Sequence, residues 1–467
     1  MLRRFRRLVP LLAPALTLCA VCSGCWDRTE LEDIAWVQAV GFDKGPNNTV
    51  VTTLQIGIPR SLRGTSMGGS PSGGQQSENV VMSAASETGL ETLQIAAVSL
   101  GRRVSLQHAA LYVFSDELAR GDIRSLVGAL ERYREVRLSA FIAVSKGRAE
   151  DVIRLIGSPI EQTASRFLQI IMQQHSTTGL FETQFLGDFI EKMEVGLVNP
   201  TAPLIALAPS SESQSQGSSG QDQSQSGGAG SSQGGIPPTP KPGERIEPQK
   251  VTVDPKVPQS GATSVEAGGT PRIGGGPVEM IGTAVFSGGK MVGTLTGEET
   301  RALLMVKGDM ETGGFSIPDP MAPDKPELSL SVTLHGRGTK VHAKRHGEKV
   351  ELDVNIRLLV TYLAPKTGVD YSDPRTTPLV KKACEQYVKQ LVDGVIAKTQ
   401  KEHKSDVLGF GDPIRHTFAT WPELDRFAWQ TKYPDAEVRT SVDVTIQRHG
   451  LTFAPPHIPI GETIRSK

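Results

Sequence analysis

HAALYVF (108–114), DIRSLVGALERY (122–133), VRLSAFIAVS (136–145) and GRAEDVIRLI (147–156) follow one another along the chain, and their order decides the fold class. The first and third are apolar runs of strand length. The second and fourth repeat apolar residues at helical spacing, the fourth opened by a turn at Lys146 and Gly147. Strand, helix, strand and helix in such short units do not build a bundle or a β-sandwich; they predict an α+β, mixed α/β fold of packed layers. The pattern extends both ways. IAWVQAVGFDK (34–44) and TVVTTLQIGIP (49–59) read as strands, and ETGLETLQIAAVSL (87–100) as a helix with Leu90, Leu93, Ala97 and Leu100 on one face. SRFLQIIMQQH (165–175) and TQFLGDFIEKM (183–193) read as helices before a strand at APLIALA (202–208).

Beyond this block the composition changes. Ser210 to Gly235 contains only serine, glycine and glutamine apart from Glu212, Asp222 and Ala229, which leaves nothing to build a core. Residues 209–277 are therefore expected to be a disordered linker or insertion, and 61–77 a smaller one. At 467 residues the chain exceeds one hydrophobic core. It divides into a block at 25–208, possibly two subdomains, and a second at 278–467, giving two to three α/β domains in series. In the second block, VEMIGTAVFSGGKMVGTL (278–295) predicts a hairpin turning at Gly288 and Gly289, followed by a helix from about Thr296. Residues 327–363 alternate apolar and polar, with turns expected at Gly336–Gly338 and His346–Glu348. A long helix then carries Val380, Cys384, Tyr387, Leu391 and Val395 on one stripe, an aromatic-bearing helix spans about Trp421 to Trp429, and a last strand occupies 436–450.

The first 24 residues read as an export signal: basic MLRRFRR, apolar Leu8 to Val21, then small Ser23 and Gly24 before Cys25. Pro10 and Pro14 interrupt the apolar run, which is shorter than the roughly 20 residues needed to span a bilayer. VCSGC resembles the bacterial lipobox, with Cys22 where that pattern prefers leucine. The resemblance implies cleavage between Gly24 and Cys25, with diacylglycerol on the Cys25 thiol and an amide-linked acyl chain such as palmitate. Of the 50 lysines and arginines, Arg3, Arg4, Arg6 and Arg7 leave with the signal, so the mature chain is mildly acidic against 50 Asp and Glu. No basic stripe offers itself to nucleic acid. Cys384 remains without a second cysteine to pair with, and its helical stripe places it in the core.

Catalytic patterns are sparse. HExxH and an intact P-loop are missing, CxxC occurs only at the export signal (Cys19–Cys22 and Cys22–Cys25), GxSxG only in the low-complexity stretches (Gly64–Gly68 and Gly230–Gly234), and GTAVFSGGK (282–290) reads as a hairpin turn. His342 and His346 fall on one exposed strand face rather than in a metal pair, and the glycines of SDVLGFGDP (405–413) read as a helix stop rather than an oxygen-ligand loop. No catalytic residue, metal or cofactor is expected beyond the covalent lipid.

Taken together, CWDRTELEDIAWVQAVGFDK (25–44), LERYREVRLSAFIAVSKGRAEDVI (130–153), IGTAVFSGGKMVGTLTGEETRALL (281–304), TQKEHKSDVLGFGDPIRHTFATWPELD (399–425) and VRTSVDVTIQRHG (438–450) resemble the Ger(x)C, or GerAC-like, family of lipoprotein C subunits of bacterial spore germinant receptors. That resemblance implies a rod-like, non-catalytic α/β lipoprotein on the outer face of the spore inner membrane, acting with membrane-embedded A and B subunits. Within the segment that resembles the family's arginine-glutamate-arginine stretch, Arg132, Glu135 and Arg137 are the candidate interface or inter-domain residues. A solute-binding lipoprotein that captures a nutrient outside the membrane is the alternative, and an exported cell-wall hydrolase ranks third. A long β-meander and an inserted linker fit the two-lobed solute-binding plan less well than the receptor-subunit plan.

Overall fold

The computed structural model describes residues 30–58, 79–157, 164–208, 264–270, 275–320, 329–365 and 375–447. The export signal, Gly24, Cys25, Ser61 to Ser77 and Ser210 to Gly235 lie outside the described residues.

β1 (Ile34–Lys44), β2 (Val50–Gly57) and β3 (Asn79–Ser86) form an antiparallel meander, and α1 (Thr92–Leu100) brings the chain back to pair β4 (Arg103–Ser105) with the start of β1. Next come β5 (Leu111–Ser115), α2 (Asp116–Ala119), α3 (Arg124–Arg132), β6 (Phe141–Ser145), α4 (Ala149–Leu155), α5 (Ala164–Gln173), α6 (His175–Thr178), α7 (Leu186–Val195) and β7 (Thr201–Leu207). β1, β5, β6 and β7 run parallel and side by side. Alternate strand residues face opposite layers, as the period of two requires. Val40, Phe42, Tyr112 and Phe114 pack with α1, α3 and α7, while Ala39, Leu111, Val113 and Ala143 pack with α4 and α5.

The sheet does not stop at the low-complexity stretch. β8 (Val278–Ser287) pairs antiparallel with β7 from Thr201↔Val285 to Leu207↔Val278, and β9 (Lys290–Leu295) completes the order β3-β2-β1-β5-β6-β7-β8-β9 with β4 on β1. The sequence boundary at 277/278 thus falls inside a single sheet. β8 is buried on both faces from Val278 to Phe286, the mark of a central strand, and it covers an edge of β7 that would otherwise be left unpaired. Part of the expected linker is also built into the fold. Ala267 N donates to Ile281 O at 2.8 Å, Gly297 N donates to Val265 O at 3.0 Å, and Glu266 bonds Lys146 and Thr294.

The remainder forms a second layer pair. α8 (Gly297–Lys307) starts in a complete capping box, Thr296 with Glu299, and leads to β10 (Thr312–Pro318), β11 (Ser329–His346) and β12 (Lys349–Pro365). Then follow α9 (Thr377–Lys398), a π turn at Thr399–His403, α10 (Gly411–Arg415), α11 (Trp421–Phe427), α12 (Trp429–Lys432) and β13 (Glu437–Ile446), in sheet order β10-β11-β12-β13. Phe315, Val332, Leu334, Val354 and Ile356 share a buried cluster with Val380, Cys384, Val388 and Val392 of α9. The opposite face is polar. The chain turns at His346–Lys349 as expected, but at Gly336–Gly338 it makes a bulge and the strand runs on. A side chain at 336 would collide with the Met310 carbonyl, so glycine there serves a close approach, not a turn. The aromatic helix is broken at Ala428, whose φ is 51°.

Candidate functional site

Two of the stretches that resemble the family, 25–44 and 130–153, meet at the carboxyl end of β1. The Asp43 carboxylate accepts from Ala149 N at 2.8 Å and Glu150 N at 2.9 Å, supplying the cap that α4 lacks in its own sequence. Burial pushes the Asp43 pKa up, while those two amides and the Arg148 charge pull against it. Gly41 lets α4 lie directly on the strand, since a Cβ there would stand 2.9 Å from the Ile153 side chain. AVGFDK and GRAEDVI are therefore one packed unit, and Asp43 is occupied in holding it.

Arg132, Glu135 and Arg137 lie close in the chain but do not act as a set. VRLSAFIAVS forms a strand only from Phe141, because the chain before it turns: Val136 N bonds Tyr133 O and Ala140 N bonds Arg137 O. Glu135 is turned inward, paired with Arg103 at 2.6 Å and accepting from Leu106 N at 3.1 Å. Burial works to raise its pKa, but the bonds from Arg103, Ser105 and the Leu106 amide hold it below the usual carboxylate value. Its job is to fasten β4 to the loop before β6. Arg132 and Arg137 are exposed, and among the described residues neither makes an ion pair. Among the described residues none of the three is bonded to the second sheet; the bonds that join the two sheets come from other residues.

That junction is built around Asp406 and Asn199. The fully buried Asp406 carboxylate accepts from Gly409 N at 3.1 Å, Phe410 N at 3.2 Å, Gly411 N at 2.7 Å and the Trp429 indole at 2.8 Å. SDVLGFGDP is thus an oxygen-centred loop, with the oxygen spent on backbone amides. Asn199, just before β7, donates its N–H to Asp406 O at 2.7 Å, donates from its side chain to Gln430 at 2.8 Å and accepts from Gly288 N at 2.9 Å. Gln430 in turn donates to Leu197 O at 2.9 Å, and Leu197 packs into the core of the second sheet. On the other flank, Glu182 is buried against Lys307 at 2.6 Å and Thr201 at 2.8 Å. Burial would raise the Glu182 pKa, but the Lys307 and Lys192 charges hold it below the usual value. Nearby, Arg301 is buried, donates to Thr178 O and stacks 4.4 Å above the Phe315 ring; desolvation lowers its pKa to about 10.

His342 and His346 are exposed on one face of β11, opposite Asp353 and Lys349. Cys384 is 1% exposed in the core, and burial pushes its thiol up to about 12. Among the described residues no group of three His, Cys, Asp or Glu could hold a metal ion, and no helix is long and apolar enough to cross a membrane.

Comparison with known proteins bears on both halves of the chain. Residues 27–207 match the family described as the spore germination protein N-terminal domain, and 281–450 match "Spore germination B3/ GerAC like, C-terminal". The chain is 23% identical to the Bacillus subtilis (strain 168) spore germination protein YfkR over 440 residues, covering 94% of this chain and 96% of YfkR. To spore germination protein KC of the same organism it is 24% identical over 439 residues, covering 93% and 94%. A crystal structure of the GerBC protein aligns with a TM-score of 0.47 and 13% identity, over 90% of this chain and 99% of that one. With both parts of the family matched in order on either side of the low-complexity stretch, the chain belongs to the GerAC-like family of spore germination proteins.

Proposed function

We propose that the chain is the C subunit of a spore germinant receptor, a non-catalytic lipoprotein held by diacylglycerol on Cys25 at the outer face of the spore inner membrane. There it assembles with membrane-embedded A and B subunits. The observation that supports this reading is where the family-like segments spend their charge: Asp43 on α4, Glu135 on Arg103 and a β4-proximal amide, Asp406 on three amides and an indole. Groups committed to the scaffold in this way do not transfer protons or attack a substrate. A lipid on Cys25 raises the effective concentration of the body beside membrane partners, so contacts with them can be individually weak.

Cys25→Ala tests the reading. The variant precursor should stay uncut at 24/25 and carry no diacylglycerol in a mass spectrum of its N-terminus, the subunit should be lost from the spore membrane, and nutrient-triggered germination of spores that depend on it should slow. Spores that germinate at the normal rate with the variant in the soluble fraction would refute the membrane-anchored role.

A further inference from the structure

The end of the first sheet where β1 begins carries apolar side chains that no part of the described chain covers. α1 has no charged residue between Thr92 and Leu100; Leu93 and Ala96 are buried, while Ile95 is 42% and Val98 87% exposed. An apolar helix with one face bare calls for a cover. α1 runs down to Arg103, which pairs with Ile34 at the first position of β1. Glu135 ties the loop before β6 to the same place through Arg103, and that loop presents Arg132, Arg134, Arg137 and Leu138, the last 48% exposed. Phe185, 42% exposed, stacks on Phe141 beside it at 4.9 Å.

The chain itself says what lies opposite this rim. Glu30 is in a turn with Asp33 at the start of β1, and Cys25 precedes Glu30 by five residues, which reach at most about 18 Å when fully extended. Lipid on Cys25 therefore brings the beginning of β1, and the rim with it, close to the headgroups. Glu32, Asp33 and Glu131 are exposed at the same end, so net charge is not the main attraction. Arginine beside apolar side chains suits a headgroup layer, with guanidinium groups on phosphates and Val98 and Leu138 at the acyl boundary.

We infer that the rim formed by the outer face of α1, the Arg132–Leu138 loop and Phe185 lies against the phospholipid headgroups, which sets the orientation of the whole body on the membrane. This rests on the lipid-anchor reading above. The test uses the full mature chain with Cys25 lipidated, reconstituted on vesicles of phosphatidylcholine and phosphatidylglycerol. An environment-sensitive thiol label is placed by Val98→Cys, Leu138→Cys or, at the far end of β1, Lys44→Cys. Cys384 is buried and its thiol pushed up to about 12, so it takes no label. Acrylamide quenching at positions 98 and 138 should fall at least about threefold against the same labelled chains made without lipid from Trp26 onward and kept in solution, and quenching at 44 should not change. A chain that floats with the vesicles while positions 98 and 138 stay as open as 44 overturns the orientation and leaves the anchor intact. A chain whose mass spectrum shows no lipid on Cys25 overturns the anchor and this inference with it.

Discussion

The junction between the two sheets and the loop before β6 are both rich in charge, and they use it in opposite ways. At the junction Glu182, Lys307, Asp406 and Asn199 are removed from water, and almost every polar atom has a partner. In the loop only Glu135 turns inward, and the arginines on either side remain in solvent. Burial makes a polar group structural, because an unpaired one costs more free energy than the fold can spare. Exposure leaves it free for a partner. A charged motif read from sequence does not reveal which of these it is.

If that contrast is right, the largest loss of stability comes from Asp406→Ala. Three backbone amides and the Trp429 indole lose their acceptor inside the core, at about 1–3 kcal/mol for each group left unsatisfied, so the second sheet should unfold well below the rest of the chain. Denaturant unfolding followed by Trp429 fluorescence measures this. A change under about 1 kcal/mol would mean that water enters the loop and the junction is not dry.

Lys307→Met should cost less, about 3 kcal/mol, because Lys192 stays near to offset the stranded Glu182 charge. Replacing both partners, Glu182→Leu with Lys307→Met, should recover most of the loss in a double-mutant cycle. The pH dependence follows from the same pair. Glu182 has its pKa lowered in the fold, so its contribution is fully present above the ordinary 4.5 and is lost as pH falls through the lower folded value. The double variant should flatten that acid limb of the melting curve. An unaltered limb would assign the acid sensitivity to other carboxylates.

Shortening the low-complexity stretch should matter less still. Ala208 N bonds Pro277 O at 2.8 Å, so the two ends of 209–277 already meet beside the β7–β8 pair. Deleting Ser210 to Gly235 then removes only loop entropy, a gain of about 0.4 kcal/mol, and the melting temperature should move by less than about 5 °C. A larger fall would show that the deleted residues pack against the sheet. The same geometry explains what the sequence hid. The change of composition looked like a border between folds, whereas the pairing that crosses it joins residues about 80 positions apart. One signal was available: VEMIGTAVF is apolar enough for burial on both faces, which fits an interior strand better than the first strand of a new sheet. Thr296 with Glu299 was legible as a helix start because capping is local. Asp43 on α4, and Asn199 on Asp406, join residues more than 100 apart and leave no trace in period or spacing. β3 and β10 went unread because NVVMSAAS and TGGFSIP carry small or polar residues where alternation would be sought.

The smallest effect on stability, and the sharpest test of the contrast, belongs to the loop. The double variant Arg132→Ala, Arg137→Ala removes two exposed guanidinium groups and leaves the Glu135 pair with Arg103 intact. Exposed substitutions of this kind change stability by no more than about 0.5 kcal/mol, so thermal unfolding should be indistinguishable from that of the unchanged chain. Glu135→Gln, by comparison, weakens a charge-assisted bond that fastens β4 and should lower stability by about 1 kcal/mol. The order should reverse in spores. If the arginines serve the membrane-side surface of a receptor subunit, the double variant should slow germination while the folded chain accumulates at its normal level, measured by immunoblot of spore membranes. Loss of the chain from spores carrying the arginine variant would make the loop structural after all, and normal germination with normal accumulation would mean that its arginines serve neither lipid nor partner.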